Sequence, residues 1–159
     1  MFFLSKFVTR KGLRILCYHG AWIGDSHYGN FLFINPKKFA ERMRWLKYAG
    51  YPVLSLDSTI AALENNALPE CSTVITIDDG WYGTYREMLP IFESYKFPVT
   101  IYLTTEYVEA QLPVFNVLLE YLINTHSNNL LSLEELGITA QKKSFNLRLE
   151  QDRLEAVKL

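Results

Sequence analysis

The stretch STVITIDDGWYGTY, Ser72 to Tyr85, climbs through a run of β-branched residues to two adjacent carboxylates, Asp78 and Asp79, and then turns at Gly80. The segment TVITI is short, apolar and β-branched, so it reads as a buried strand. Gly80 gives the backbone freedom to turn sharply at its end. Two like charges side by side at such a place need a cause. Repulsion would leave one carboxyl protonated unless a cation lies nearby. A plainer reading stands beside this one: Asp-Gly is a common turn signal, and an acid before a helix often caps it.

LRILCYH (Leu13 to His19) reads as another buried strand, with Cys17 as a small core residue. GAWIGDSHYGNFLFIN follows as a long loop. A helix comes next: Asn35 can cap it, Pro36 suits its first position and Gly50 suits the place just past its end. Phe39, Met43, Leu46 and Ala49 recur at three- and four-residue steps and form one apolar stripe. YPVLSL reads as a second strand, and Asp57 or Ser58 can cap a helix through TIAALENN. After TVITI, TYREMLPIFESYKF is helical in pattern. Pro90 either marks a regular helix starting near Leu89 or sits inside a longer helix that loses a hydrogen bond. PVTIYLT is the fourth strand.

This β-loop-α-β-α-β-α-β order, about four βα units, predicts an α/β fold with a parallel sheet or barrel. The strands lack a clean polar/apolar alternation, which predicts cover on both faces. Beyond Thr105 the pattern changes. A helix is expected from Pro113 through Ile123, then a polar connection, an alternating strand FNLRL and a helix in LRLEQDRLEAVKL.

With 159 residues, 49% hydrophobic and 14% aromatic, the chain suits one domain with a real core. The formal net charge is -1 and no Lys/Arg block stands out, so a nucleic-acid or anionic-membrane partner gains no electrostatic support. Cys17 and Cys71 match no metal or redox spacing. The opening MFFLSKFVTRKG lacks the order of a signal peptide, and Asn116 and Glu120 interrupt the apolar segment LPVFNVLLEYLI. Neither an export signal nor a transmembrane segment is thus expected, and cytoplasmic and envelope locations both stay open.

VITIDDGWYGTYREMLPIFESYKFPVTIYLTT resembles the first motif of the polysaccharide deacetylase family, the NodB-homology domains, which is Thr-Phe-Asp-Asp-Gly with a following aromatic. Here it reads Thr76-Ile77-Asp78-Asp79-Gly80-Trp81. ILCYHG is similar to the family's early Tyr-His strand, and FAERMRWLKYAGYPVLSL to the helix and strand after it. The resemblance covers about Leu13 to Val108. It implies a distorted (β/α) barrel that hydrolyses N- or O-acetyl groups on sugar polymers. It further implies Asp78 as general base and Asp79 as ligand to a divalent metal, commonly zinc, held together with two histidines.

Those histidines belong to a later motif, His-Ser/Thr-x-x-His, and this chain departs from it. HSNNL at His126 matches the first letters, but Leu130 stands where the second histidine should be. The expectation is an N-terminal part of the barrel, truncated before that motif. It divides into an extension over 1–12, the barrel part over 13–108 and a helical insertion or connection over 109–159. Its partner would be an acetylated polysaccharide or oligosaccharide.

His19 ends the first strand and could line the same mouth as Asp78, or be a satisfied structural histidine. Trp81 and Tyr82 follow the acid pair and are candidate substrate-lining residues. Trp22, Tyr28 and Phe31 could offer flat faces to a sugar ring or simply pack on the barrel, and His27 lies in the same loop. Two other classes compete with a deacetylase. One is a noncatalytic glycan-binding domain that keeps the barrel. The other is a magnesium-dependent phosphotransfer domain, which needs further acids on neighbouring strand ends; Asp57 would be one, although it more simply caps the next helix.

Overall fold

The computed structural model describes residues 6–24, 31–125, 130–132 and 144–156. His27, Tyr28 and His126 lie outside the described residues. The chain divides into two compact units, Met1–Val108 and Glu109–Leu159.

The first unit is organised by a three-stranded parallel sheet in the order β1-β4-β5. Strand β1 is Arg14–Tyr18, β4 is Thr73–Ile77 and β5 is Thr100–Ile101. β4 is buried at every residue, as its β-branched run requires of a central strand. It pairs with β1 from Arg14↔Thr73 to Tyr18↔Ile77, and with β5 at Thr76↔Thr100 and Ile77↔Ile101. A two-stranded parallel pair, β2 (Gly20–Ala21) with β3 (Phe33–Ile34), lies within what the sequence suggests is only loop.

Helix α1 spans Pro36–Tyr48. The Asn35 side chain accepts from the backbone N–H groups of Lys37 and Lys38 at 2.8 and 3.2 Å, which satisfies two donors of its open first turn. Phe39, Met43 and Leu46 are its buried stripe. They join Ile75, Ile77, Met88 and Phe92 in one core, where the Phe39 ring meets Tyr18 and Phe92 edge-on, each at 5.2 Å.

Several expectations need correction. YPVLSL does not form a regular strand: only a bridge, Val53↔Thr73, is present. Pro52 has no N–H for a ladder, and the chain is committed to a helix cap by Ser55. That cap belongs to Ser55, whose Oγ accepts from the Ser58 N–H at 3.2 Å, not to Asp57 or Ser58. Helix α2 accordingly covers Leu56–Glu64, and Asp57 falls in its first turn, where its charge complements the helix dipole.

Pro90 has a local consequence. Residues Thr84–Met88 form a π-helical turn, with the Leu89 N–H donating to Thr84 O, and helix α3 is regular only over Leu89–Tyr95. The proline ring crowds the carbonyl four residues earlier, so the chain widens before it. β1 also departs from expectation. Its burial alternates, and Ile15 and Cys17 are exposed. Cys17 is therefore not a core residue.

Helix α4 spans Thr105–Ala110. In the second unit, helix α5 (Phe115–Thr125), the antiparallel pair β6 (Leu130–Ser132) and β7 (Ser144–Asn146), and helix α6 (Glu150–Ala156) surround a small core. It consists of Ile123, Phe145, Leu147 and Ala156. Among the described residues, no helix is long and apolar enough to cross a membrane.

Gly83 is a close-approach position: a Cβ there would collide with the Ala21 carbonyl oxygen, a backbone atom that cannot swing aside. Gly83→Ala should cost about 1–3 kcal/mol. Gly12→Ala, whose new Cβ would meet Thr9 O at an ordinary 3.6 Å, should stay within about 0.5 kcal/mol. Urea denaturation of both variants checks the contrast, and equal midpoints would contradict it.

Candidate functional site

The β1–β4 ladder continues one step beyond the strands. The Asp78 N–H donates to Tyr18 O at 2.9 Å, which brings His19 and Asp78 together at the carboxyl ends of two neighbouring parallel strands. Ligand sites in parallel α/β folds lie at such ends. The chain then reverses. Asp79 and Gly80 both adopt left-handed backbone conformations, at φ 66° and 67°, and the Gly80 N–H closes onto Asp78 O at 2.8 Å. Asp tolerates that region better than most residues, and a Cβ on Gly80 would run into the Leu103 side chain.

This tight turn sends the two carboxylates into different surroundings. Asp78 faces β1: its Oδ2 lies 3.3 Å from the Cys17 thiol, which donates to it, and 3.9 Å from His19 Nε2. The Asp78 and His19 side chains are 38% and 29% exposed, so both are open to a ligand while held by strand backbone. Asp79 faces the other way along the sheet, where Thr104 Oγ1, just past β5, donates to its Oδ1 at 3.3 Å.

Among the described residues, Cys17, His19 and Asp78 are the one group of three or more metal-capable side chains lying together, all donor atoms within 4.8 Å. Asp79 is not in it. The described residues therefore place Asp79 in no group of three metal-capable side chains, the number of protein ligands that a catalytic zinc normally has. They do not by themselves complete the site that the resemblance implies.

A cleft of about 430 Å³ opens beside Cys17 and His19, with Phe31, Phe33 and Arg42 in its wall. Phe31 is 93% exposed. Trp81, expected to line substrate, is 8% exposed and packs against Phe33 at 4.4 Å and His19 at 5.9 Å between ring centroids. It backs the histidine and presents little face of its own. Tyr82 is well exposed, close to Tyr85. Thr84 anchors the segment after the turn, its hydroxyl donating to His19 O at 3.1 Å.

Two participants escape the sequence reading. Cys17 hides in an apolar run, although Cys-x-His on a strand puts both side chains on one face. Thr104 carries no local signal, because its contact with Asp79 depends on strand order. The Cys17 thiol, though exposed, is pushed up from its ordinary value, chiefly by the partial desolvation that its neighbours impose. The hydrogen bond to Asp78 and the charges of Asp78 and Asp79 add to this, against an opposing hydrogen bond from Thr76.

The folded chain consequently holds the Cys17 proton to higher pH than the unfolded chain, and the stability tied to it is lost as pH rises through the folded value. The pH midpoint for alkylation of Cys17 should lie above that of an unperturbed thiol. Asp78→Asn should lower it by removing two of the causes that raise it. A wild-type midpoint at or below the ordinary thiol range would contradict this.

Comparison with known proteins adds to the geometry. Residues 65–156 match the polysaccharide deacetylase family. The chain is similar to a Bacillus subtilis (strain 168) protein named "Putative polysaccharide deacetylase YxkH", 32% identical over 92 residues, which cover 57% of this chain and 31% of that protein. It is similar to the poly-beta-1,6-N-acetyl-D-glucosamine N-deacetylase of Escherichia coli (strain K12), 29% identical over 69 residues, covering 43% of this chain and 10% of that one. Among solved structures it resembles the Streptococcus pyogenes deacetylase PplD in complex with acetate. That match has a TM-score of 0.56 at 26% identity, over 69% of this chain and 50% of the other. A de-N-acetylase from Aggregatibacter actinomycetemcomitans shares the fold, with a TM-score of 0.51 at 21% identity over 92% of this chain and 50% of that one. The chain thus spans about a third or less of these two curated relatives and half of each solved chain.

Proposed function

The chain belongs to the polysaccharide deacetylase family, and we propose that it is the N-terminal part of a distorted-barrel hydrolase that removes acetyl groups from polysaccharide or amino-sugar substrates. The bond cleaved would be a carbon–nitrogen bond outside peptides. The observation that carries this reading is the divided acid pair at the end of β4, with Asp78 turned toward His19 and Asp79 turned toward Thr104.

In this reading Asp78 is the general base. It takes a proton from the attacking water, and its neighbours suit that task. His19 stands 3.9 Å away, where an imidazole can steady the carboxylate or take up its proton. Asp79 would hold a divalent ion, zinc by the family's habit, completed by two histidines that this chain does not supply in a matching motif. Bound there, such an ion supplies Lewis acidity toward the acetyl oxygen and lowers the pKa of a bound water. Asp79 is steadied for that duty by the Thr104 hydroxyl, which leaves its other carboxylate oxygen available.

The cleft wall of Phe31 and Phe33 and the exposed Tyr82 offer flat apolar faces of the kind that sugar rings pack against. The E. coli relative, named for an N-acetylglucosamine polymer, makes oligomers of that sugar the first substrates to test.

In the full-length protein, Asp78→Asn should lower acetate release from an N-acetylglucosamine oligomer by about 10²–10⁴-fold, the usual worth of a general base, with the far-UV circular dichroism unchanged. Turnover equal to wild type would remove Asp78 from the base role. Sugar binding by calorimetry with no acetate release from the wild type would favour a noncatalytic glycan-binding domain.

A further inference from the structure

The metal-capable side chains that this fold gathers are not the ones the acid-pair chemistry calls for. Cys17 and His19 leave the same face of β1, two residues apart, and the register that pairs Cys17 with Thr76 and Tyr18 with Ile77 brings Asp78 alongside them. The Cys17 Sγ to Asp78 Oδ2 separation is 3.3 Å, the His19 Nε2 to Asp78 Oδ2 separation is 3.9 Å, and all three donor atoms lie within 4.8 Å. Ordinary Zn–S, Zn–N and Zn–O lengths in a tetrahedral site put neighbouring donors about 3.4–3.6 Å apart. The observed spacing thus needs only side-chain adjustment to close around one ion.

Cys17 lies within β1, Asp78 is tied one step past β4 by its N–H bond to Tyr18 O, and the His19 carbonyl is held by Thr84, so little backbone ordering remains to be done on binding. Cys17 and His19 also line the cleft bounded by Phe31 and Arg42, and the Asp78 side chain is 38% exposed, which gives an ion a path in and leaves its fourth position to water. A donor set of thiolate, imidazole and carboxylate suits zinc or cobalt(II) and not magnesium or calcium, which prefer oxygen alone.

We propose that Cys17, His19 and Asp78 form a binding site for a thiophilic divalent cation, separate from an ion at Asp79, and that filling it inhibits the enzyme by occupying its base. The inhibitory half rests on the reading of Asp78 as base; the site itself does not. An ion there engages the Asp78 carboxylate, so the oxygen needed to accept a proton from water is no longer free. Excess zinc then acts as an inhibitor of a reaction that a first equivalent supports.

The site is tested on the reduced, metal-free 159-residue chain by titration with cobalt(II), reading the near-ultraviolet sulfur-to-cobalt absorption. Wild type, Cys71→Ser and Asp79→Asn should all develop the band at one equivalent. Cys17→Ser, a nearly isosteric change at an exposed position, should abolish it, and His19→Ala should weaken cobalt binding at least tenfold. A wild type without the sulfur band, or a band that survives Cys17→Ser, would overturn the site. The inhibitory consequence is read separately, as acetate release by the full-length protein with increasing zinc. Inhibition beyond the first equivalent should disappear in Cys17→Ser, and inhibition that persists unchanged would overturn the consequence. A full-length protein with no acetate release at any zinc level would defeat the deacetylase reading and with it the inhibitory half, while the cobalt titration would still decide the site.

Discussion

The parallel ladder between β1 and β4 is the constraint from which the rest follows. β4 is buried along its whole length, so its register against β1 has almost no freedom to slip. The last rung, Asp78 N–H to Tyr18 O at 2.9 Å, fixes where the strand stops. Everything chemical in the first unit is placed by that rung: His19 leaves β1 there, Asp78 leaves β4 there, and the left-handed turn at Asp79 and Gly80 begins there. The glycines serve the same end. Gly83 lets the segment after the turn lie directly on the Ala21 carbonyl, and that segment in turn grips His19 through Thr84.

A turn this tight does more than reverse the chain. It answers the electrostatic problem posed by two neighbouring acids. Side chains on successive residues of a strand point to opposite sides, and the left-handed step at Asp79 keeps the two carboxylates apart. Each then finds its own partner: a thiol and an imidazole for Asp78, a hydroxyl for Asp79. Neighbouring acids in different environments can take different roles, which is the usual basis for dividing base and ligand duties between like residues.

Much of this was legible in the sequence because it depends on local chemistry. TVITI had to be a buried strand, and Asn35 with Pro36 had to open a helix. Asp-Asp-Gly had to end the strand in a turn. What could not be read depends on contacts between distant residues. Cys17 sits in an apolar run that looks like core, and only the exposure of one face of β1 reveals it as part of the site. YPVLSL has the composition of a strand, yet Pro52 and the Ser55 cap leave it a single bridge. The π-helical turn before Pro90 resolves a conflict that the sequence could only pose. Thr104 reaches Asp79 because β5 lies beside β4, an adjacency that no spacing encodes.

The most direct test of the account is anomalous diffraction at the zinc edge from crystals of the full-length protein carrying one equivalent of zinc. A zinc peak is expected about 2.0–2.2 Å from an Asp79 carboxylate oxygen, with Asp78 turned toward His19 and not chelating that ion. Asp79 bound only to Thr104 with no zinc peak near it, or both carboxylates sharing a single ion, would contradict the division of labour on which the proposed function rests.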